Sequence, residues 1–120
     1  MGCRVCRARY VYLWLRVVEA TSVPLAVLLL LYVVSGYGML YPGLLGLTYR
    51  ISSYLHTHPL LRYLTSILIA LHGYGGTVLL SSRYLGRYGV ARAVAEILGL
   101  VFAVTIVAIS TAVELVLLLR

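Results

Sequence analysis

Apolar residues form three long runs along this chain, separated by short stretches that contain glycine, arginine and tyrosine. The runs cover about residues 10–35, 59–81 and 90–119. Each run is long enough to cross a bilayer, which requires about 20 helical residues. Lipid-exposed backbone must satisfy its own hydrogen bonds, so each run is expected to be helical. The pattern predicts an all-α membrane protein with three transmembrane helices in a single domain, residues 1–120.

The composition agrees with a membrane location. Hydrophobic residues make up 62% of the chain and the mean hydropathy is +1.01, both well above the averages of soluble proteins. The net charge of +7 comes from arginines that flank the apolar runs, so we predict no nucleic-acid partner. Asparagine and glutamine are absent. Their absence fits a thermophilic source, although a GC-rich genome biases composition in a similar way.

The distribution of arginine predicts how the chain is oriented. The first loop contains only Arg50, whereas the N-terminal flank and the second loop with its border carry Arg4, Arg7, Arg9, Arg16, Arg83, Arg87 and Arg92. Cytoplasmic segments are enriched in arginine and lysine. We therefore predict a multi-pass protein of the cell membrane with a cytoplasmic N-terminus. The first loop and the C-terminus are then outside.

Two histidines in the second apolar run carry the strongest chemical signal. His58 and His72 are fourteen residues apart, which places them on one helix face with a rise of about 21 Å. On the same helix His56 would point about 160° away from His72. Imidazoles in hydrocarbon need partners. Hydrogen bonds to neighbouring helices and ligation of haem are both open, whereas zinc lacks cysteine or carboxylate partners at these depths.

The H-x13-H spacing resembles that of dihaem b-type cytochromes, and the closest resemblance is to the cytochrome b family. In that family two helices of a four-helix bundle each carry such a pair, and the preceding helix has small residues fourteen apart. The resemblance covers the first two spans. It implies that His58 and His72 are axial ligands of haem iron. Small residues that match the family pattern or flank His72 are Ser22 and Gly36, also Thr21 and Ser35, and Gly73, Gly75 and Gly76.

The resemblance also implies an alignment of the two helices and an assembly. Gly36 would be level with His58 and Ser22 with His72, although serine departs from the family's glycine. Two six-coordinate haems need four histidines, so a parallel homodimer with two haem b groups is expected. Arg62 would neutralise a propionate of the outer haem, or extend to the lipid headgroups.

These features predict a dihaem b-type cytochrome that carries electrons across the membrane and exchanges them with a quinone. It would act as an electron-transfer protein or as a subunit of a quinone oxidoreductase, with a possible redox partner subunit. A first alternative comes from "LHGYGGTVLL", which is similar to the H-G-x-x-G stretch of haem-binding membrane anchors of succinate dehydrogenase or fumarate reductase. A second alternative is a haem-free membrane scaffold or small transporter.

Acidic and cysteine residues add weaker signals. Glu19 and Glu96 are placed to pair with the arginines three and four residues before them, Arg16 and Arg92, or to relay protons at the inner interface. Glu114 has no obvious partner within its own helix. Cys3 and Cys6 form a C-x-x-C pair in the predicted cytoplasmic tail. In a homodimer the two tails would offer four thiolates to a zinc ion; the alternative is that these cysteines bind no metal.

Overall fold

The computed structural model describes residues 4–43 and 46–119, and this part of the chain is all-α. Its four helices are α1 (Arg4–Leu40), α2 (Tyr49–Thr57), α3 (Pro59–Tyr84) and α4 (Gly89–Leu118). Segments of α1, α3 and α4 are long and apolar enough to span a membrane, namely Cys6–Leu40, Pro59–Tyr84 and Gly89–Leu118. The predicted all-α fold with three membrane-length helices is confirmed, and it is compatible with a multi-pass membrane protein.

The three long helices form an open layer rather than a closed bundle. The middle helix, α3, packs antiparallel to α1 on one side and to α4 on the other. In the described residues the backbones of α1 and α4 do not pack against each other. The dimensions of 60 × 33 × 20 Å are those of a slab. The two faces of α3 that are covered by neither α1 nor α4 therefore remain accessible from outside the layer.

Burial in this layer is the reverse of burial in a water-soluble protein. The buried polar side chains are all serine or threonine, and the buried apolar ones include only small or medium-sized residues; they are Thr21, Ser35, Ser52, Thr65 and Ser81, and Leu28, Ala70, Val78 and Ala103. Most of the other leucine, isoleucine and valine side chains of the described residues are exposed. Small residues allow helices to approach closely in lipid. Large apolar side chains gain little by leaving lipid, because lipid tails are as apolar as they are. This arrangement supports a membrane environment.

The first loop contains the short helix α2. Thr48 caps α2 by accepting a hydrogen bond from the backbone nitrogen of Ile51. Ser52 is fully buried against Gly38 of α1, where a Cβ atom would collide with the serine side chain. The absence of a side chain at Gly38 thus allows α2 to pack on the end of α1.

A break in the chain at His58 separates α2 from α3. His58 has extended backbone angles, φ −61° and ψ 120°, and is the last cap of α2 and the first cap of α3. Pro59 follows at the first position of α3, where its missing N–H costs no hydrogen bond. Its ring also disfavours a helical conformation at the preceding residue. The start of the second membrane-length helix at Pro59 agrees with the sequence prediction.

Candidate functional site

One face of α1 carries a contact side chain every seventh residue. This stripe consists of Arg7, Trp14, Thr21, Leu28 and Ser35. A seven-residue spacing keeps one side of a helix turned toward its neighbour. Here the stripe faces α3 and then α2, with Trp14 against Tyr74, Thr21 against His72 and Ser35 against His56. Two of the three histidines therefore meet hydroxyl groups of the same helix face.

His72 lies at the centre of α3, thirteen residues after Pro59 and twelve before Tyr84. Its Nδ1 atom is 3.1 Å from Oγ1 of Thr21. The Thr21 hydroxyl donates to the carbonyl of Val17 at 2.8 Å, so its oxygen accepts from Nδ1–H of His72. Nε2 is then unprotonated, and it has no hydrogen-bond partner among the described residues.

His56 also meets a hydroxyl group of α1 through Nδ1, farther along that helix. Its Nδ1 atom is 3.0 Å from Oγ of Ser35, whose hydroxyl donates to the carbonyl of Tyr32 at 3.1 Å. Nδ1 of His56 therefore carries the proton, and Nε2 is left as an acceptor. Thr21 and Ser35 are fourteen residues apart on α1, a rise of about 21 Å. One helix face thus orients two imidazoles at two depths.

His58, the predicted outer ligand, has a different environment. Its ring lies edge-on to Tyr54, with 5.2 Å between the centroids. Its Nδ1 atom is buried and has no hydrogen-bond partner in the described part of the chain. Binding a metal through Nε2 would put a proton on this buried nitrogen, and a buried donor without an acceptor costs about 1–3 kcal/mol.

The break before Pro59 also corrects the expected register. His56 was expected to share a helix with His72 and to point away from it, which is wrong because His56 belongs to α2 and α3 begins at Pro59. The Cβ position of Gly36 is 3.7 Å from Cε1 of His56. The expectation that Gly36 is level with His58 stays a prediction.

The small residues expected around His72 divide into two groups. Ser22 donates its hydroxyl to the carbonyl of Val18 at 2.6 Å, and Thr21 rather than Ser22 contacts His72. Gly75 packs against α1, where a Cβ atom would collide with Val18. A Cβ atom at Gly73 or Gly76 would meet nothing within 4 Å. These two glycines therefore leave an open strip beside His72, rather than a close contact with α1.

Arg62 has a partner that the sequence did not identify. Its Nε atom donates to Oε1 of Glu114 at 2.7 Å, which joins the N-terminal part of α3 to the C-terminal part of α4. The hydroxyls of Tyr63 and Thr111 are 3.2 Å apart next to this pair. Glu114 thus binds one nitrogen of the Arg62 guanidinium, and the expected role of Arg62 at a haem propionate or at the lipid headgroups stays a prediction.

A second polar cluster joins all three long helices at the opposite end. Glu96 accepts hydrogen bonds from Arg7 and from Ser81, the latter at 3.0 Å, and Arg7 also donates to Ser82 at 3.0 Å. The sequence predicted that Glu96 pairs with Arg92, four residues earlier in the same helix. In the structure Glu96 pairs with Arg7 of α1 instead. The predicted Arg16–Glu19 pair is present at 3.3 Å on an exposed surface.

Metal ligands other than single imidazoles do not gather in the described residues. Within them, histidine, cysteine, aspartate and glutamate side chains form no group of three or more that would hold a metal ion. Cys6 is exposed, and Cys3 lies outside the described residues, so the zinc alternative for the C-x-x-C pair stays a prediction. Haem b needs no such group, because two imidazoles complete its iron.

The chain was compared with protein-family models, with curated proteins and with solved structures, and none of them matches it. The resemblance to the cytochrome b family therefore rests on the spacing of the histidines and small residues alone.

Proposed function

We propose that this chain is a membrane-bound b-type haem protein that carries electrons and exchanges them with a quinone. The supporting observation is the hydrogen bond between Thr21 and His72, which leaves Nε2 free on an imidazole in the middle of the membrane-length helix α3. Metal-ligating histidines typically donate their other ring N–H to an oxygen atom that fixes the ring orientation. Bound haem supplies an iron that accepts and releases single electrons.

The surroundings of His72 suit a large apolar cofactor. The open strip at Gly73 and Gly76 lies beside the histidine, and the layer leaves this side of α3 accessible. An imidazole that served only to pack α1 against α3 would leave a second ring nitrogen without a partner in a low-dielectric region, at a cost in free energy. Ligation of iron by Nε2 removes that cost, and the porphyrin covers the strip.

The proposed assembly is a parallel homodimer with two haem b groups. One chain offers one imidazole at each depth, so the second ligand of each iron comes from the partner protomer. His72 is the proposed ligand of the central haem. At the outer level the sequence spacing favours His58, whereas the Ser35 hydroxyl favours His56. The arginine distribution orients the protein, with the N-terminus and the second loop in the cytoplasm.

A second candidate is a haem-binding anchor subunit of a succinate dehydrogenase or fumarate reductase. The observation that favours it is the position of His72, which is central in α3, while His58 caps that helix and His56 belongs to α2. An anchor subunit needs one haem, and its second ligand would come from a different subunit. The redox partner is then obligatory.

One purified sample distinguishes these functions. The chain is purified in mild detergent, and haem and protein are quantified together with the reduced visible spectrum. One haem per chain in a dimer supports the dihaem homodimer. No haem in the isolated chain, with haem appearing when a partner subunit is co-expressed, supports the anchor. A folded, colourless protein under both conditions would overturn the proposal in favour of a haem-free scaffold or transporter.

A further inference from the structure

The side of α1 that points away from α3 carries an ion pair among apolar side chains. Residues two positions before or after a member of the α1 stripe are rotated from it by about 200°, so they project from the opposite side of the helix. This far face of α1 consists of Tyr12, Arg16, Glu19, Val23 and Leu30, and all five are exposed. The side chains of Arg16 and Glu19 remain 66% and 55% exposed although they pair with each other at 3.3 Å. In the single chain the far face is thus uncovered.

The depth of this ion pair sets it apart from the other charges of the long helices. Between Arg62 and Arg83 of α3, twenty residues carry no charge, a length of about 30 Å that matches the hydrocarbon core of a bilayer. His72 lies in the middle of this stretch and contacts Thr21 of α1. Glu19 is two residues from Thr21, or about 3 Å along the helix axis. In a bilayer spanned by α3, Glu19 therefore lies near the centre of the hydrocarbon.

Lipid is a poor environment for the carboxylate of Glu19. Arginine can extend toward the headgroups, and Nε of Arg16 donates to the hydroxyl of Tyr12, one turn nearer the N-terminal end, at 3.0 Å. Glu19 is shorter, and the nearer edge of the hydrocarbon is about 12 Å away. In the described residues its carboxylate accepts one hydrogen bond, from Arg16. Carboxylates inside membranes face protein or water rather than lipid, so the far face points to a protein partner.

We propose that the far face of α1 binds the same face of a second copy of this chain. A two-fold axis along the membrane normal places the two Arg16 side chains at one level and the two Glu19 side chains about 4.5 Å away along the axis. Each arginine can then donate to the glutamate of the other chain, and the four charges form a neutral cluster shielded from lipid. The apolar Val23 and Leu30 continue the contact. A different subunit would need a matching pair of opposite charges at this depth, which a second copy already provides.

This contact is separate from the proposed haem site. His72 meets Thr21 on the side of α1 that faces α3, and the far face lies on the opposite side of the same helix. The inference therefore goes beyond the proposed function and requires only that the chain lies in a membrane. Two parallel two-fold axes do not form a closed assembly, so chains that used both contacts would join haem dimers into rows.

Disulfide cross-linking in native membranes tests this contact. In a chain in which serine replaces Cys3 and Cys6, Val23→Cys introduces a single cysteine on the far face, one turn from Glu19. Val101→Cys, at an exposed valine of α4, is the matched control. We expect an oxidant to convert Val23→Cys into a covalent dimer, and to leave Val101→Cys largely monomeric. Equal cross-linking of both would indicate random collisions and overturn the inference, and no cross-link at Val23→Cys would overturn it in favour of lipid or a different subunit.

Reversal of single charges tests whether the two ions pair between chains. In the Val23→Cys background, Glu19→Arg makes the far face basic and Arg16→Glu makes it acidic. Each variant should lose most of its cross-linked dimer, because like charges meet at the contact. Co-expressed with different tags, the two variants should cross-link to each other, since opposite charges then meet between chains while the pair within each chain stays broken. Undiminished cross-linking of each variant alone, or no mixed dimer from chains that are both helical by circular dichroism, would overturn the inference.

The haem content of the same membranes separates this inference from the proposed function. A specific cross-link at Val23→Cys in a chain that binds no haem would contradict the haem proposal and leave the contact standing. A chain that binds haem and gives no such cross-link would do the reverse.

Discussion

The Thr21 hydroxyl oxygen accepts a hydrogen bond from Nδ1 of His72 across the α1–α3 interface, at 3.1 Å. The same hydroxyl donates to the carbonyl of Val17, one turn earlier in α1. Thr21 is thus fixed by its own helix and in turn fixes the ring of His72. Because its donor capacity is used, it can only accept from the imidazole, and the tautomer follows. Thr21 is therefore a positioning residue for the proposed ligand.

Replacing Thr21 tests this relationship directly. Thr21→Val keeps the shape but removes the acceptor, so the affinity for haem should fall about 10- to 100-fold, as for other outer-shell partners of ligating histidines. Thr21→Ser retains the hydroxyl and should restore binding. Haem titration and the low-spin EPR signal are the measurements. Unchanged affinity and EPR spectrum in Thr21→Val would show that the hydrogen bond serves packing alone.

The three histidines should not contribute equally to haem binding. His72→Ala should abolish the central site. His56→Ala should remove the outer haem, and His58→Ala should retain it, because of these two histidines His56 has a hydroxyl partner on Nδ1 and His58 has none in the described residues. This reverses the expectation from the sequence spacing. The haem-to-protein ratio is measured for each variant, and circular dichroism confirms that each one folds. Loss of haem in His58→Ala but not in His56→Ala would restore the original assignment.

The sequence predicted those features that depend on neighbours along the chain. Hydropathy located the three long helices, and Pro59 marked the start of α3. It did not predict contacts between helices. Thr21 and Ser22 are adjacent and chemically alike, and only the packing of α1 on α3 decides which of them meets His72. The Glu114–Arg62 pair depends in the same way on α3 and α4 being antiparallel neighbours.

Contacts between helices, which the sequence does not show, also explain two predictions that were wrong: the position of His56 relative to His72 and the partner of Glu96. A helical repeat relates His56 to His72 only if the helix is continuous, and the break at Pro59 removes that condition. Glu96 had a good local partner in Arg92, yet Arg7, 89 residues away in sequence, forms the contact. Local spacing carries no information about a partner on a distant helix.

The Arg62–Glu114 pair should stabilise the contact between α3 and α4. Glu114→Leu leaves the Arg62 guanidinium without its counter-charge between α3 and α4, and should lower the free energy of unfolding. The loss should be smaller than for a fully buried pair, because the Arg62 side chain is 37% exposed. The double variant Arg62→Met/Glu114→Leu should recover part of the loss.

Reversible unfolding in mixed detergent micelles measures these differences. The exposed Arg16–Glu19 pair is the control, and Glu19→Leu should change stability by less than about 1 kcal/mol. Strictly additive losses in the double variant would mean that Arg62 and Glu114 do not interact energetically.

Cysteine labelling tests the orientation predicted from the arginines. In a variant in which serine replaces Cys3 and Cys6, Thr57→Cys should react with an impermeant thiol reagent outside intact cells, and Tyr88→Cys should not. Both positions are exposed, whereas Ser52, also in the first loop, is fully buried and would be protected in either orientation. Permeabilised cells provide the control, since both cysteines should then react. Labelling of Tyr88→Cys alone in intact cells would invert the orientation.

The strip at Gly73 and Gly76 should be covered when the protein is assembled. A Cβ atom at either position would meet nothing within 4 Å in the single chain, and leucine is a better helix former than glycine. Gly76→Leu should therefore not destabilise the chain itself. If a porphyrin or a second protomer lies on the strip, the same change should reduce the haem-to-protein ratio or the dimer fraction. Ala112→Leu, at an exposed position on α4, should affect neither. Both quantities come from size-exclusion chromatography with absorbance and light-scattering detection, and wild-type values in Gly76→Leu would show that this strip faces lipid.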